Sequence, residues 1–219
     1  MPVKLFILGL PGSGKSAASR LTEHFARENK WKVKRFRDYG ILHTMSLADV
    51  EPKRFRPTKF DGFDVLDLAA FDEALEKLNR RIEEREKPVD DSKELLIIEF
   101  SRNDYCNALS FFSSYLLEDA YFLFIDAKIQ SCMQRVEKRV TKPVAERNED
   151  DNYVSEFIFD TYYERDHRDY LESVASQMGE QFGIRREKVH VIYNGPEISE
   201  EEFHQRVTDF AINILRLKA

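Results

Sequence analysis

Residues 9–16 constrain this chain more than any other part of its sequence. They read Gly-Leu-Pro-Gly-Ser-Gly-Lys-Ser and fit the pattern G-x-x-x-x-G-K-[ST] without a mismatch. An apolar run at 3–8 precedes them, and a stretch of helical period at 14–28 follows them. A strand, a glycine-rich turn and a helix in this order predict a phosphate-binding loop.

The composition of this loop has a physical reason. Glycines leave room for backbone N–H groups to curl around phosphate oxygens, and the following helix points its positive N-terminal end at the same anion. Lys15 is predicted to reach the β- and γ-phosphates, and Ser16 to supply an oxygen ligand to Mg²⁺. The predicted cofactors are ATP and Mg²⁺, and the loop residues expected to hold the nucleotide are Gly9, Pro11, Gly12, Ser13, Gly14, Lys15, Ser16 and Ala17.

Charge and cysteine content narrow the class of protein. The 219 residues include 34 Lys and Arg against 40 Asp and Glu, a net charge of -6, so binding to a nucleic acid polymer through bulk charge is not expected. The two cysteines, Cys106 and Cys132, suggest neither a disulfide framework nor a zinc site. A reduced, cytoplasmic location is predicted, without a membrane span. A monomer and a homodimer both stay open.

Short apolar runs alternate with longer stretches of helical period, as in a parallel sheet covered by helices. Strands are predicted at 3–8, 32–37, 95–99, 121–126 and 189–193, and helices at 14–28, 66–87, 104–117, 129–140, 153–178 and 199–217. The expected fold is an α/β, three-layer P-loop NTPase fold: a five-stranded parallel sheet with helices on both faces and a short lid. No linker divides the chain, so residues 1–219 are predicted to form one domain.

Two further groups of charged residues bear on the predicted site. One buried strand ends at Glu99, and strand ends are where α/β sheets bind ligands. Glu99 is therefore suited to holding Mg²⁺ through water or to accepting a proton from an attacking hydroxyl. Arg135 and Arg139 are four residues apart on a predicted helix, so they share one face and can address a single ligand.

Together these residues resemble the nucleoside monophosphate kinase group of P-loop proteins, which includes the adenylate and UMP/CMP kinases. If one residue is deleted, residues 98–103 are similar to that group's Asp-Gly-Phe-Pro-Arg, whose arginine holds the acceptor phosphate; this role falls to Arg102. Arg135 and Arg139 match the start of the group's lid, the first arginine against the base and the second on phosphates. Residues 147–152 resemble its end, which places Arg147 beside the phosphates and a short, zinc-free lid at about 135–152.

Other positions match this group in part. Tyr163 stands at the spacing of a tyrosine of the group, and Gly195 stands where the group's backbone approaches adenine. Phe159 takes the place of a second lid arginine, for which only Arg165 or Arg168 could substitute.

The group's acceptor-binding element has no clean counterpart at residues 38–43, so the motif does not specify the acceptor. The pair Glu99 and Arg102 also resembles deoxynucleoside and thymidylate kinases, in which a carboxylate and an adjacent arginine serve the acceptor. An acceptor-binding insertion is expected at about 38–90, with Asp38 and Glu99 as alternative bases. The predicted acceptor contacts are Arg102, His43, Arg54 and Arg56.

The resemblance implies an ATP-dependent phosphotransferase: a nucleotide or nucleoside kinase that transfers the γ-phosphoryl group of ATP·Mg²⁺ to a small acceptor. A kinase for another metabolite, such as a sugar or an acid, stays open because the acceptor region is unmatched. An NTP-binding regulatory module with vestigial catalysis also stays open, because one lid arginine is replaced. The residues predicted to act in transfer are Lys15, Asp38, Glu99, Arg139 and Arg147.

Overall fold

The computed structural model of this protein describes residues 2–51, 53–85, 93–164 and 166–216. Within them, the strands are β1 Val3–Gly9, β2 Lys32–Arg37, β3 Phe55–Pro57, β4 Phe63–Val65, β5 Glu94–Phe100, β6 Tyr121–Asp126 and β7 Val189–Tyr193. The helices are α1 Lys15–Glu28, α2 Tyr39–Ala48, α3 Ala69–Glu83, α4 Tyr105–Leu109, α5 Ser114–Leu117, α6 Ile129–Val140, α7 Glu156–Ile158, α8 Arg168–Phe182 and α9 Glu200–Leu215. A π-helical turn, Phe159–Tyr163, continues α7, and 3-10 turns lie at Val144–Glu146 and Arg186–Lys188.

Five strands form one parallel sheet in the order β2-β5-β1-β6-β7. The predicted five-stranded parallel sheet is confirmed, with bounds that differ from the predicted ones by at most one residue. Because β5 and β6 both pair with β1, the loop after β1 opens at the middle of the sheet's carboxyl edge. β3 and β4 form a separate antiparallel hairpin.

Side chains of the central strands alternate between two apolar layers. On one face, Phe6, Ile98 and Phe124 belong to a buried cluster that includes residues of α3, α4 and α8. On the other face, Ile7 and Leu123 belong to a cluster with residues of α1 and α9. The predicted three-layer α/β arrangement, a sheet with helices on both faces, is therefore confirmed.

Two predicted helices are interrupted. The stretch predicted at 104–117 forms α4 and α5, and the stretch at 153–178 forms α7, its π-helical turn and α8. Asp104 and Ser155 each accept a backbone N–H as N-cap residues, so helices begin beside them. Glu164 has a positive φ of 60°, which breaks the helical path before α8. α3 and α9 end at Glu83 and Leu215, earlier than the predicted ends at 87 and 217, positions that themselves lie outside the described residues.

The segment from α2 to the β3-β4 hairpin lies in the predicted insertion at about 38–90, in a part for which no helix or strand is predicted. Its helix α2 buries Leu42 and Met45 alone, too few apolar positions for a clear helical period. None of the described helices combines the length and apolarity that crossing a bilayer requires.

Candidate active site

A cavity of about 260 Å³ opens at the carboxyl edge of the sheet, beside the loop that follows β1. Parallel strands end at this edge, so side chains near the ends of β1, β2 and β5 meet here. Among the predicted site residues, those lining the cavity are Pro11, Gly12, Gly14, Lys15, Ser16, Ala17, Asp38, Glu99, Arg102, Arg135 and Arg139. The fold thus brings most predicted nucleotide contacts into one cavity with Asp38 and Arg102 from the predicted acceptor side.

Two glycines of the phosphate loop have conformations and neighbours that exclude a larger residue. Gly12 has a φ of +80° and Gly14 a φ of +113°, both in the left-handed region. A Cβ at Gly12 would overlap the carbonyl oxygen of Cys132, and one at Gly14 would lie 2.5 Å from Asn194 Nδ2. A loop whose glycines expose backbone N–H groups at the N-terminus of a helix fits the phosphates of ATP.

Gly9 and Ser13 support this loop from the protein side. Gly9 ends β1 and pairs in register with β6. The carbonyl oxygen of Ser13 accepts hydrogen bonds from Asn194 Nδ2 at 2.7 Å and from Arg135 Nη1 at 3.5 Å. Arg135 Nη2 also donates to the carbonyl oxygen of Asn194 at 3.0 Å. Arg135 therefore joins the loop to the segment that leads into the buried Gly195.

Lys15 is buried in the cavity wall, and its Nζ donates to the carbonyl oxygen of Leu10 at 2.8 Å. Burial penalises the ammonium and lowers the pKa of Lys15 to about 8, although the charge of Glu99 opposes this shift. The lysine is thus held at the phosphate loop with a proton that it can lose near neutral pH.

We expect ATP affinity to fall as the pH rises through about 8, by up to about tenfold per unit. The ammonium binds phosphate better than the neutral amine, so ATP binding takes up a proton once free Lys15 has lost its own. ATP titrations by calorimetry from about pH 6.5 to about pH 9.5 measure this effect. In the control variant Lys15→Arg the guanidinium stays charged, so its profile should be flat. An equal decline in that variant would assign the effect to another group.

Glu99 accepts hydrogen bonds from two hydroxyls of α1 and forms an ion pair with an arginine of β2. Ser16 Oγ donates to Oε1 at 2.6 Å, Ser19 Oγ donates to Oε2 at 2.7 Å, and Arg35 Nη2 lies 2.8 Å from Oε2. Burial alone would raise the pKa of Glu99, but the charges of Arg35 and Lys15 and these hydrogen bonds lower it. Glu99 is therefore an anion beside the Ser16 hydroxyl, and this pair of oxygen donors fits Mg²⁺.

Asp38 and Arg102 form a buried ion pair, with Arg102 Nη1 at 2.5 Å from Asp38 Oδ2. Arg102 also donates to the carbonyl oxygens of Ser101 at 2.6 Å and Phe71 at 2.7 Å, and its guanidinium lies 4.9 Å from the centre of the Phe71 ring. Burial raises the pKa of Asp38, although Arg102 opposes that shift. The contacts of Arg102 orient it towards Asp38, whereas its buried Nε has no hydrogen-bond partner among the described residues.

Arg139 extends from α6 towards the segment that follows the 3-10 turn Val144–Glu146. Its Nε donates to the carbonyl oxygen of Asn152 at 2.9 Å, and its Nη2 donates to the same atom. Burial lowers the pKa of Arg139. This arginine thus lines the cavity while it ties α6 to the predicted lid.

Arg54 and Arg56 are engaged by acidic side chains of their own neighbourhood. Arg54 pairs with Asp67 at 3.0 Å and with Glu73 at 2.8 Å, and Arg56 pairs with Asp64 at 2.6 Å. Neither arginine is part of the cavity wall that the described residues form. The structure therefore does not bring them together with the phosphate loop.

Arg147 and His43 also stand outside that wall. The Arg147 guanidinium lies 5.6 Å from the centre of the Phe60 ring. The imidazole of His43 stacks on Tyr39 at 6.2 Å between ring centres and lies 6.1 Å from Phe63. His43 therefore supports aromatic residues that line the cavity rather than facing it directly.

Phe159, which takes the place of the expected second lid arginine, is buried in an apolar cluster with Tyr163. Arg168 pairs with Asp126 at 3.3 Å and lies over the Tyr193 ring, so it faces the β6-β7 side of the sheet. Residue 165 lies outside the described residues. The apolar surroundings of position 159 thus account for a phenylalanine in place of the expected arginine.

The sequence analysis missed a cluster of three arginines around one carboxylate. Asp150 accepts from Arg20 and Arg37 and pairs with Arg35 at 3.0 Å; Arg35 also holds Glu99. We call Arg20, Arg35, Arg37 and Asp150 the arginine cluster. Alternation along β2 places Arg35 and Arg37 on one face of the strand, and this spacing is the sequence signal that could have indicated a common partner.

Aromatic side chains form part of the cavity wall. They are Tyr39, Phe63, Phe71, Tyr153 and Tyr163. Tyr39 and Phe63 lie 5.5 Å apart between ring centres, a spacing typical of packed aromatic pairs. The cavity thus combines apolar aromatic surface with the charged residues beside the phosphate loop.

Comparisons with known proteins bear on the fold. No family model matches this chain, and no curated protein matches its sequence. Among solved structures, the APS kinase of Mycobacterium tuberculosis in complex with AMPPNP and APS is similar over 98% of both chains, with 16% identity and a TM-score of 0.50. The shikimate kinase of Bacteroides thetaiotaomicron gives 13% identity and a TM-score of 0.47 over 98% of this chain and 99% of its own. With the sheet order and the phosphate loop, the likeness to the APS kinase shows that this chain has the fold of the P-loop kinases.

Proposed function

We propose that this protein is an ATP-dependent phosphotransferase that transfers the γ-phosphoryl group of ATP·Mg²⁺ to a nucleoside or nucleotide in the cytoplasm. One observation carries the proposal. One cavity is lined by Lys15, Ser16 and Glu99, by the aromatic side chains of Tyr39 and Phe63, and by a buried carboxylate, Asp38. Such a cavity suits a phosphoryl donor on the phosphate loop and a ring-bearing acceptor against the aromatic side chains.

The proposed donor site supplies positive charge and hydrogen-bond donors. In this proposal the loop N–H groups and Lys15 bind the phosphates of ATP, Arg135 borders the base, and Arg139 balances charge on the transferring group. Ser16 and Glu99 would hold Mg²⁺, which when bound neutralises charge on the β- and γ-phosphates. Because Arg139 also contacts the predicted lid, this segment can shield the reacting groups from water.

The proposed acceptor site supplies a base and a surface for a ring. Tyr39 and Phe63 contribute aromatic surface to the cavity, which favours a planar nucleobase over a sugar or a small acid. Asp38 has one carboxylate oxygen on Arg102, and its carboxylate can take the proton of an attacking acceptor oxygen. Arg102 then acts as a positioning residue that orients this base.

We expect nucleosides or nucleoside monophosphates to raise the rate of ADP release at least about 10²-fold over ATP alone, since a bound acceptor aligns the reacting oxygen with the γ-phosphate. A coupled assay measures ADP release with Mg²⁺ and a panel of nucleosides, monophosphates, sugars and small acids. The variant Lys15→Ala run on the same panel corrects for contaminating kinases. If only a sugar or an acid stimulates ADP release, the acceptor belongs to that class and is not a nucleoside or nucleotide. ATP binding without stimulation by any acceptor would favour a regulatory module.

A further inference from the structure

The arginine cluster has a charge balance that depends on the predicted lid. Arg20 from α1 and Arg35 and Arg37 from β2 contribute three positive charges. The acidic partner from the sheet is Glu99, which pairs with Arg35 at 2.8 Å.

Two further carboxylates that contact these arginines come from the predicted lid. Asp150 contacts all three arginines, and Glu149 Oε2 lies 3.1 Å from Arg37 Nη2. With both carboxylates in place, three cations face three anions. Without them, three arginines face Glu99 alone, and these four side chains carry a net charge of two positive units.

That charge and the geometry match a phosphate group. A phosphate monoester carries about 1.5 to 2 negative charges at neutral pH, and its oxygens accept the same forked hydrogen bonds from guanidinium groups as a carboxylate does. We propose that Arg20, Arg35 and Arg37 form a binding site for a phosphate dianion, and that Glu149 and Asp150 occupy this site when no such ligand is bound.

The site is reachable from the cavity. Arg20 and Arg37 line the cavity wall together with Ser16, and their side chains are 49% and 26% exposed. The carboxylate of Asp150, by contrast, is 6% exposed beneath them. Displacing the segment at 149–150 therefore opens a place for an anion next to the phosphate loop without dismantling the sheet.

The position of Arg102 supports a phosphate site elsewhere than at Arg102 itself. Asp38 and two carbonyl oxygens already accept hydrogen bonds from both of its terminal nitrogens. A phosphate carried by the acceptor and a free phosphate ion present the same chemistry to the arginine cluster. The inference rests on the proposed function only if the bound phosphate belongs to the acceptor.

The test uses the full chain with Lys15→Ala as the background, so that the phosphate loop is weakened, and inorganic phosphate as the probe in calorimetric titrations. Asp150→Asn removes the charge of the competing carboxylate and should tighten phosphate binding at least about tenfold. Adding Arg37→Gln to that variant should reverse the gain. The matched control is Glu146→Gln, the same charge change at an exposed position of the same segment that is not part of the described cavity wall. It should leave the affinity within about twofold.

Equal effects of Asp150→Asn and Glu146→Gln would overturn the site in favour of bulk charge, and so would an unchanged affinity in Asp150→Asn. If Asp150→Asn does not fold, Glu149→Gln takes its place, because the Glu149 side chain is 73% exposed; tightening of about threefold is then expected. No change in that variant also overturns the site.

The source of the phosphate is decided by Arg37→Gln in the otherwise unchanged protein. If the acceptor carries it, the variant weakens binding of a nucleoside monophosphate at least about tenfold and leaves the parent nucleoside unaffected. If the variant weakens only inorganic phosphate, the site serves a free ion. These titrations need no ATP, so a failed acceptor panel alongside tight phosphate binding would reject the proposed function and keep the site.

Discussion

Replacing Lys15 with alanine is expected to lower kcat/KM for ATP by about 10²- to 10³-fold, the usual cost of removing one preorganised charge-stabilising group. Lys15 is buried in the cavity wall beside the phosphate loop, where its charge is little screened by water. The variant should fold as stably as the parent, because removal of a buried ammonium also removes its desolvation penalty. Coupled ADP release and thermal unfolding measure the two effects separately.

The matched control for Lys15→Ala is Lys138→Ala, which removes an exposed lysine of α6. It should retain both activity and stability. Retention of more than about a tenth of the activity in Lys15→Ala would contradict a phosphate-binding role for this loop.

Replacing Glu99 with glutamine is expected to lower kcat by about 10²- to 10³-fold and to raise the Mg²⁺ concentration needed for half-maximal activity at least about tenfold. The substitution keeps the shape of the side chain but removes the charge that faces Ser16 and Arg35. A Mg²⁺ titration of initial rates at saturating ATP measures the change.

The companion variant Asp38→Asn separates the metal role from the base. We expect kcat to fall about 10²- to 10⁴-fold with the Mg²⁺ requirement unchanged, because Asp38 lies on Arg102 at the proposed acceptor site. Asparagine retains an oxygen for Arg102, so thermal unfolding checks that the loss is not one of folding. If Asp38→Asn shifts the Mg²⁺ requirement and Glu99→Gln does not, the two roles are exchanged.

The sheet and the phosphate loop could be predicted because their signals are local. Strands buried on both faces read as continuous apolar runs, such as those of β5 and β6, and the loop requires glycines at fixed spacing within eight consecutive residues. Arg135 and Arg139 were similarly indicated by their spacing on one helix.

The ion pairs of Arg37, Arg54 and Arg56 could not be predicted from the sequence, because their acidic partners are distant in the chain or belong to other elements. Arg37 meets Asp150 across 113 positions of the chain, a pairing that no local pattern reveals. Arg54 and Arg56 stand in a basic run, yet carboxylates that follow in the next elements engage them. A sequence shows where cations are abundant, whereas only the fold shows which of them are already neutralised.

Cys132 can report on the position of the phosphate loop, because its backbone lies against Gly12 and its side chain belongs to the same buried apolar cluster as Leu10. Burial raises the pKa of the Cys132 thiol to about 12, and the thiolate is the form that reacts with alkylating and oxidising reagents. While the loop packs against α6, this sulfur stays protonated and shielded. Its modification therefore marks separation of the phosphate loop from α6, and a nucleotide that holds the loop in place slows that modification without touching the cysteine.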